Sequence, residues 1–503
     1  MPVGLLTVVL AMANFMQVLD LTIANVSLPA ITSDLGAVPS QGAWIVTSFA
    51  AANAVSVPLT GWLADRYGQV RVFATATLMF TLASLLCGLA WSLPVLIACR
   101  VLQGLAAGFM VPLSQSLLLR INPPEKHGMA LAIWMMTSTI GPICGPVLGG
   151  WITDNLHWSW IFLINLPVGL LAALAIWMLL RDSESELVRR PLDRTGMLLL
   201  VVWVAALQVL LDKGNELDWF HSGLIIGLAI VAALGALLFL VWELTDDHPV
   251  IDLTLFRTPN FGVGTVVLGL MFGCYQAINV AMPLWLQTQL GYTAQWAGFV
   301  LAPAGVMSLL CAPLVGRLMN HVDPRVLSSI GFILFAIAML LRSGFNTEVD
   351  FGAMVLAQIV QGAAGPIFFA PLVATALGGI PGSRMAAATG TQNFIRIMGG
   401  SFGTSVAVAF WSQREAFHRS HLVEGLTATS RQVTDYLEKL MATGISPQLA
   451  WARIERLVDQ QSSTLAVNDL YLFVGMLMVV NIAGMWMLRP KRRPGAPRPL
   501  AVD

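Results

Sequence analysis

The sequence predicts an all-α membrane protein: two bundles of six transmembrane helices, joined by a linker that carries two more, for fourteen spans. Three observations predict it. Of 503 residues, 57% are apolar and 11% charged, far below the roughly 25% charge of soluble domains. Apolar runs close to or above the roughly 20 residues needed to cross a bilayer recur along the whole chain. The two halves also repeat at an offset of about 255 residues, as two similar bundles would. Asn25 and Pro29 fall on Asn279 and Pro283, Gly61 and Leu63 on Gly316 and Leu318, and Gln103-Gly104 on Gln361-Gly362.

In chain order the expected spans are 5–29, 43–63, 71–92, 94–118, 129–152, 158–180, 196–211, 222–242, 262–287, 297–319, 325–343, 351–379, 386–410 and 468–488. The first run outlasts a signal-peptide core and has no basic residue before Arg66, so it is expected to stay as a span. The seventh is short and stops at Leu211-Asp212-Lys213. Residues 1–185 then form the first bundle and 186–258 the linker with its two inserted spans. Residues 259–490 form the second bundle, with an outer segment at 411–467, and 491–503 are a tail. Basic residues gather on one side, in the turns around Arg66, Arg71, Arg120, Arg189, Arg190, Arg257, Arg317, Arg325 and Arg384 and in the tail from Arg489 to Arg498. The short loops of the other side collect Lys213 and Arg342. The positive-inside rule therefore places both termini in the cytoplasm and 411–467, where Val433, Tyr436, Leu437 and Leu440 follow helical spacing, outside.

Composition excludes several functions. Acids equal bases and no basic stripe carries interleaved aromatics, so nucleic acid is not expected as a partner. The five cysteines each sit singly in an apolar run and read as small buried hydrophobes, not as a disulfide or metal set. No zinc-protease or phosphate-loop motif is present, so no enzyme is expected and no cofactor; energy must come from a gradient.

Candidate functional residues are those costly to place in hydrocarbon. Asp20 lies about 14 Å from the outer end of the first span and Arg100 about 9 Å along the fourth from the same side, so the two charges sit at comparable depth. They are either a fixed ion pair locking two spans or a proton-coupling site, with Asp20 the acceptor and Arg100 tuning it. In the repeat, Asp20 aligns with Cys274, Arg100 with Gln358 and Asp65 with Asn320, which concentrates charge in the first half. Gly141, Gly145 and Gly149, with Gly150 beside them, put small residues on one face of the fifth span, while Pro142 and Pro146 weaken it as a rod. Gln17, Asn25, Gln115, Tyr275, Gln276, Asn279, Gln358, Asn393 and Arg396 are candidates for a substrate lining, with aromatic faces suited to cations. Arg396 either balances an anionic substrate or is neutralised by Asn393 and backbone carbonyls.

The turn Gly61-Trp-Leu-Ala-Asp65-Arg66-Tyr-Gly68-Gln-Val-Arg71 resembles the loop between the second and third helices of major facilitator superfamily transporters, G-x-L-a-D-R-x-G followed by basic residues. The run Gly141-Pro142-Ile-Cys-Gly145-Pro146, then Gly149-Gly150, is similar to the fifth-helix pattern of facilitator antiporters. L-D-x-T-I-x-N-V-x-L-P from Leu19, with Ser27 where alanine is common, resembles the first helix of fourteen-span drug:proton antiporters. Together with PLSQSLLLR, WELTDDHPVIDLTLFR and the long outer segment, these place the chain's resemblance, over nearly its full length, with the EmrB-type (DHA2) multidrug exporters. That resemblance implies proton-driven efflux of amphiphilic compounds from the bacterial inner membrane. It also implies a periplasmic adaptor protein and an outer-membrane channel as partners, with 411–467 as the docking candidate or, alternatively, a solvated cap. Asp65 and Arg66, with Gly61, Gly68 and Arg71, are expected to act as a gate. Export of one metabolite, such as a siderophore, fatty acid or lysolipid, is the alternative within the class; a non-transporting receptor is the alternative outside it.

Overall fold

The computed structural model describes residues 3–37, 39–123, 126–181, 184–185, 187–188, 191, 193–246, 249–319, 321–424, 426 and 431–489. The expected tail beyond Pro490, and Arg189 and Arg190, lie outside them.

The first half contains α1 (Val3–Asp34), α2 (Pro39–Ser56), α3 (Thr60–Tyr67), α4 (Gln69–Gly88), α5 (Leu93–Ile121), α6 (His127–Asn155), α7 (Trp160–Leu163) and α8 (Asn165–Leu180). Pro58, in a single 3-10 turn, separates α2 from α3, and Gly68, at φ +92°, separates α3 from α4. A side chain at that positive φ would be strained, which is why glycine stands in the turn. The inserted pair is α9 (Arg194–Lys213) and α10 (Gly223–Thr245). The second half contains α11 (Pro259–Thr288), α12 (Ala294–Leu318), α13 (Pro324–Arg342), α14 (Phe351–Leu377), α15 (Met385–Glu424), α16 (Arg431–Ala442) and α17 (Pro447–Met487). Several starts follow local rules. The side chains of Asp193, Thr293, Asp323, Asp350 and Ser446 accept first-turn amides, and proline occupies the first turn of α5, α11, α13 and α17.

Each of the fourteen expected spans corresponds to a helix or a broken helix pair. Among the described residues, twelve helical stretches are long and apolar enough to cross a membrane; the broken pair α2–α3 and the helix α6 complete the set. These helices show apolar side chains outward as well as inward, for example Leu171, Leu174 and Met178 on α8 and Leu234, Leu237 and Leu238 on α10. A helix apolar all round needs an apolar surrounding.

Two expectations change. Lys213 and Arg342 are not loop residues: they end α9 and α13 and are 5% and 0% exposed, with Lys213 over the Trp44 ring and Arg342 over the Tyr471 ring, each at 5.8 Å. The outer segment is helical, as its apolar spacing predicts, but not as a loop with one helix in it. Helices α15 and α17 run on through it as single rods of 40 and 41 residues, with α16 between them. Val433, Ile454 and Val458 form a small core there, with Leu422, Leu426 and Leu437 packed on it. The inserted pair is packed, not merely connected. It sits against both halves: Lys213 lies 5.8 Å from the Trp44 ring of α2 in the first, while in the second Trp203 meets Phe394 edge-on at 5.9 Å, Ser401 bonds to Gln208 at 3.0 Å, and Ser405 donates to the Leu211 carbonyl at 2.7 Å. The stretch after it is folded by its own acids. Glu243 accepts the amides of Val250 and Ile251, and Asp252 accepts Arg384 Nε at 3.0 Å, which ties the linker to the start of α15.

The halves meet along α6 and α12, where Gly316 lies against Met129 and Gly298 against Val147, and across α3 and α15, where Gly61 lies against Ala387. Gly61 and Gly316 are repeat partners. Each brings its own helix onto the opposite half, and at both places a Cβ would strike backbone within 3 Å.

Candidate functional site

Two polar constellations stand out inside the bundle. The first is built on Asp20, which is fully buried in α1. Arg100 of α5 donates to its Oδ2 at 2.5 Å, and Oδ1 accepts from Gln103 Nε2 at 2.9 Å and Asn165 Nδ2 at 3.0 Å. Arg100 also donates to the Ile45 carbonyl at 3.1 Å and to Gln103 Oε1 at 2.9 Å, with its guanidinium 4.2 Å from the Phe49 ring centre. Asn165 shares its amide with Ser84 Oγ at 3.0 Å. A buried charge pair is tolerable when its remaining lone pairs and protons are met, and here four helices meet nearly all of them; Arg100 Nη2 has no partner among the described residues. Sequence reasoning paired Asp20 with Arg100. It missed the roles of Gln103, Asn165 and Ser84; the signal for Gln103 was its spacing of three from Arg100 on one helix face.

The second constellation lies where the halves touch. Asn393 of α15 donates to Gln115 Oε1 of α5 at 2.7 Å. One turn on, Arg396 lies over two rings, Trp134 of α6 at 5.6 Å and Phe272 of α11 at 4.8 Å, while Trp134 stacks on Phe369 of α14 at 6.0 Å. A cation thus joins aromatic faces of both halves. No carboxylate pairs with Arg396 among the described residues, and its Nε has no hydrogen-bond partner there. The same holds for both side-chain polar atoms of Gln358 and Gln392 and for Asn279 Nδ2. Buried polar atoms in this condition mark places where water or a ligand completes the bonding.

The remaining expected lining divides. Gln17 and Gln358 are buried and Gln276 half-buried, its chain against Gly400 of α15. Tyr275 stacks on Phe272 at 6.1 Å and leans on Phe335 of α13 at 6.2 Å, which places it in the packing of the second half. Asn25 is exposed and donates to its own helix, at the Leu21 carbonyl. Gly141, Gly145 and Gly149 receive Val18, Thr22 and Ile23 of α1, so this stripe is the α1–α6 crossing; Gly150 faces open space. The side chains of Pro142 and Pro146 lie outside the described residues.

The turn from Gly61 to Arg71 is clamped by the segment at the end of the first bundle, to which sequence reasoning gave no role. Glu184 accepts the amides of Val70 at 2.9 Å and Arg71 at 3.0 Å, and Ser185 Oγ accepts that of Gln69 at 3.1 Å. These are first-turn amides of α4, which have no partner within the helix. Arg120 holds the Glu184 carbonyl at 2.8 Å, and Val188 N donates to the Asp65 carbonyl at 2.8 Å. Arg66 lies over Trp62 and Tyr67 at 5.4 and 5.7 Å.

Comparison with known families decides the membership. Residues 10–404 match the model of the Major Facilitator Superfamily. The chain belongs to this superfamily. Facilitators are transporters, not enzymes, as the sequence led us to expect. Within the superfamily, the chain is 45% identical over 492 residues to the multidrug export protein EmrB of Haemophilus influenzae, covering 97% of this chain and 96% of that one. It is 43% identical over 484 residues to the fatty acid resistance protein FarB of Neisseria gonorrhoeae, 96% of each. The fold matches that of the human organic anion transporter MFSD10 with a TM-score of 0.61 at 14% identity, over 95% of this chain and 100% of that one. The sequence-level expectation of an EmrB-type facilitator therefore stands, as does that of a multi-pass membrane protein.

Proposed function

We propose that this facilitator is a proton-coupled efflux transporter for amphiphilic compounds, working by alternating access in the bacterial inner membrane with both termini in the cytoplasm. The near full-length similarity to EmrB carries the reading. Proton coupling falls to Asp20: a carboxylate held by Arg100, Gln103 and Asn165 in one state changes its proton occupancy when those donors move apart in another. Substrate falls to the junction of the halves, where Gln115, Asn393, Arg396, Gln17, Gln276, Asn279 and Gln358 supply polar contacts and Trp134, Phe272 and Phe369 supply apolar faces. Tyr275 and Asn25 contribute indirectly, through packing and through the rim. Gly61, Asp65, Arg66, Gly68 and Arg71 serve as the cytoplasmic gate, and Gly141 to Gly150 as the crossing about which α1 and α6 adjust.

The helical projection 411–467 docks a periplasmic adaptor protein, which in turn reaches an outer-membrane channel. The 43% identity to FarB favours a second reading, in which fatty acids are the cargo. Transport by the purified protein in proteoliposomes tests both. An imposed proton gradient is expected to drive uptake of amphiphiles into inside-out vesicles, and Asp20→Asn to abolish the dependence on the gradient. Full gradient-driven transport by Asp20→Asn overturns the coupling assignment. A panel in which fatty acids alone are moved selects the second reading, and loss of adaptor pull-down on deleting 425–445 tests docking.

A further inference from the structure

At the end of the second half that carries Arg325, four spans finish together: α11 begins at Pro259, α13 at Pro324, α14 ends at Leu377 and α17 at Met487. Between their ends is a pocket of about 690 Å³ lined by Asn260, His321, Arg325, Thr375, Gly378 and Arg489 among others. Its lining mixes the polar and cationic groups of Asn260, His321, Arg325, Thr375 and Arg489 with the apolar Met319, Val322 and Ala374. One acid is present, Asp323, and it is engaged by Arg325, whose Nη2 and backbone N reach it at 3.1 and 2.9 Å. Arg489 forms no ion pair among the described residues, and the sequence that follows it, Pro490-Lys491-Arg492-Arg493, carries no acid. Asn260 fixes the backbone of Arg489 from both sides, accepting its amide and donating to its carbonyl at 2.8 Å each. Trp486, half exposed, lies 5.1 Å under the Arg325 guanidinium and bonds to Ser329. A tryptophan with one wet and one apolar edge marks the level of lipid headgroups.

We propose that this pocket binds the phosphate headgroup of an anionic phospholipid, with Arg489 as the principal charge and the second Nδ2 hydrogen of Asn260 as a donor; the Thr375 hydroxyl and His321 Nδ1 are already committed to the Pro371 and Arg317 carbonyls. A pocket of this kind, cationic, between span ends and at headgroup level, offers what a phosphodiester with two acyl chains needs: charge and donors above, apolar helix flanks below. A basic residue at the membrane surface contributes about fivefold to the retention of an anionic lipid.

Native mass spectrometry of the full chain released from detergent micelles tests this, with phosphatidylglycerol and phosphatidylcholine of matched acyl chains added in turn. Phosphatidylglycerol adducts are expected to persist at about fivefold lower lipid concentration than phosphatidylcholine adducts. Arg489→Gln is expected to remove that preference, Arg489→Lys to keep it, and Arg419→Gln, which removes an equal charge from the projecting hairpin, to leave it unchanged. Equal retention of the two lipids, or equal effects of Arg489→Gln and Arg419→Gln, overturns the proposal. Displacement of phosphatidylglycerol by millimolar inorganic phosphate identifies a free-anion site instead and overturns it as well.

Discussion

Gly61 packs so tightly that its replacement has a calculable effect. In Gly61→Ala the new methyl carbon would stand 2.8 Å from both the α-carbon and the methyl of Ala387 and 3.3 Å from its backbone nitrogen. Carbon atoms rest at about 3.5–4.0 Å, so α3 and α15 must separate by about 0.7–1.2 Å at this point. Neither atom struck is the end of a flexible chain; one belongs to backbone. Overpacking of this kind costs about 1–3 kcal/mol. The cost falls on conformations in which the two helices touch and is absent from those in which they part. The ratio of touching to parted molecules is therefore expected to drop by about 5- to 150-fold. Spin labels at Tyr67 and Ser383, both exposed at this end, with the five native cysteines replaced, report the separation by double electron–electron resonance. The short-distance population should shrink in Gly61→Ala. Adding Ala387→Gly should restore part of it, since the clash with the Ala387 methyl is relieved and the clash with its backbone is not. An unchanged distance distribution in Gly61→Ala would refute the claim that the packing of Gly61 on Ala387 holds the halves together.

Arg100→Gln leaves Asp20 buried without its cation and should destabilise the fold by about 3–5 kcal/mol; the double variant with Asp20→Asn should lose less, as thermal unfolding in detergent will show. Glu184→Ala uncaps α4 and is expected to cost about 1 kcal/mol, seen locally as faster hydrogen exchange at Val70 and Arg71. Asn393→Leu leaves Gln115 Oε1 without its described donor and should cost about 1–3 kcal/mol in the state where the halves are joined, read by the same distance measurement. Arg396→Gln should lower transport of anionic amphiphiles by roughly tenfold or more, the worth of a hydrogen bond to a charge, while cationic ones are unaffected; equal loss for both would return Arg396 to a packing role.

The spans were legible because hydrocarbon imposes a composition on every residue that faces it, and the repeat because Gly61 and Gly316 do the same job twice. Asp20 and Arg100 were legible because charge inside a span is rare and must be matched. Gln103, Asn165 and Ser84 were not: an uncharged polar residue within a span reads the same whether it bonds to its own backbone, as Asn25 does, or to an aspartate on another helix. Glu184 was hidden in a run of charges at the end of the first bundle, where sequence carries no sign of which acid reaches back 114 residues to an amide. Arg342 was misplaced because hydropathy registers a charge and not the depth to which its side chain folds. The same limit applied at 411–467, since apolar runs track the bilayer and stop where it stops, although the helix does not.

That last point has a mechanical side. Helices α15 and α17 are about 60 Å long at 1.5 Å per residue, twice the roughly 30 Å of a hydrocarbon core, and their inner halves are spans of the second bundle. Whatever rotation that bundle makes is carried outward along both rods without an intervening joint. For a turn of about 10° on an arm of roughly 30 Å, the tip sweeps about 5 Å. A body resting on the tip would feel each transport cycle as a stroke, and holding the tip still would brake the cycle from outside the membrane.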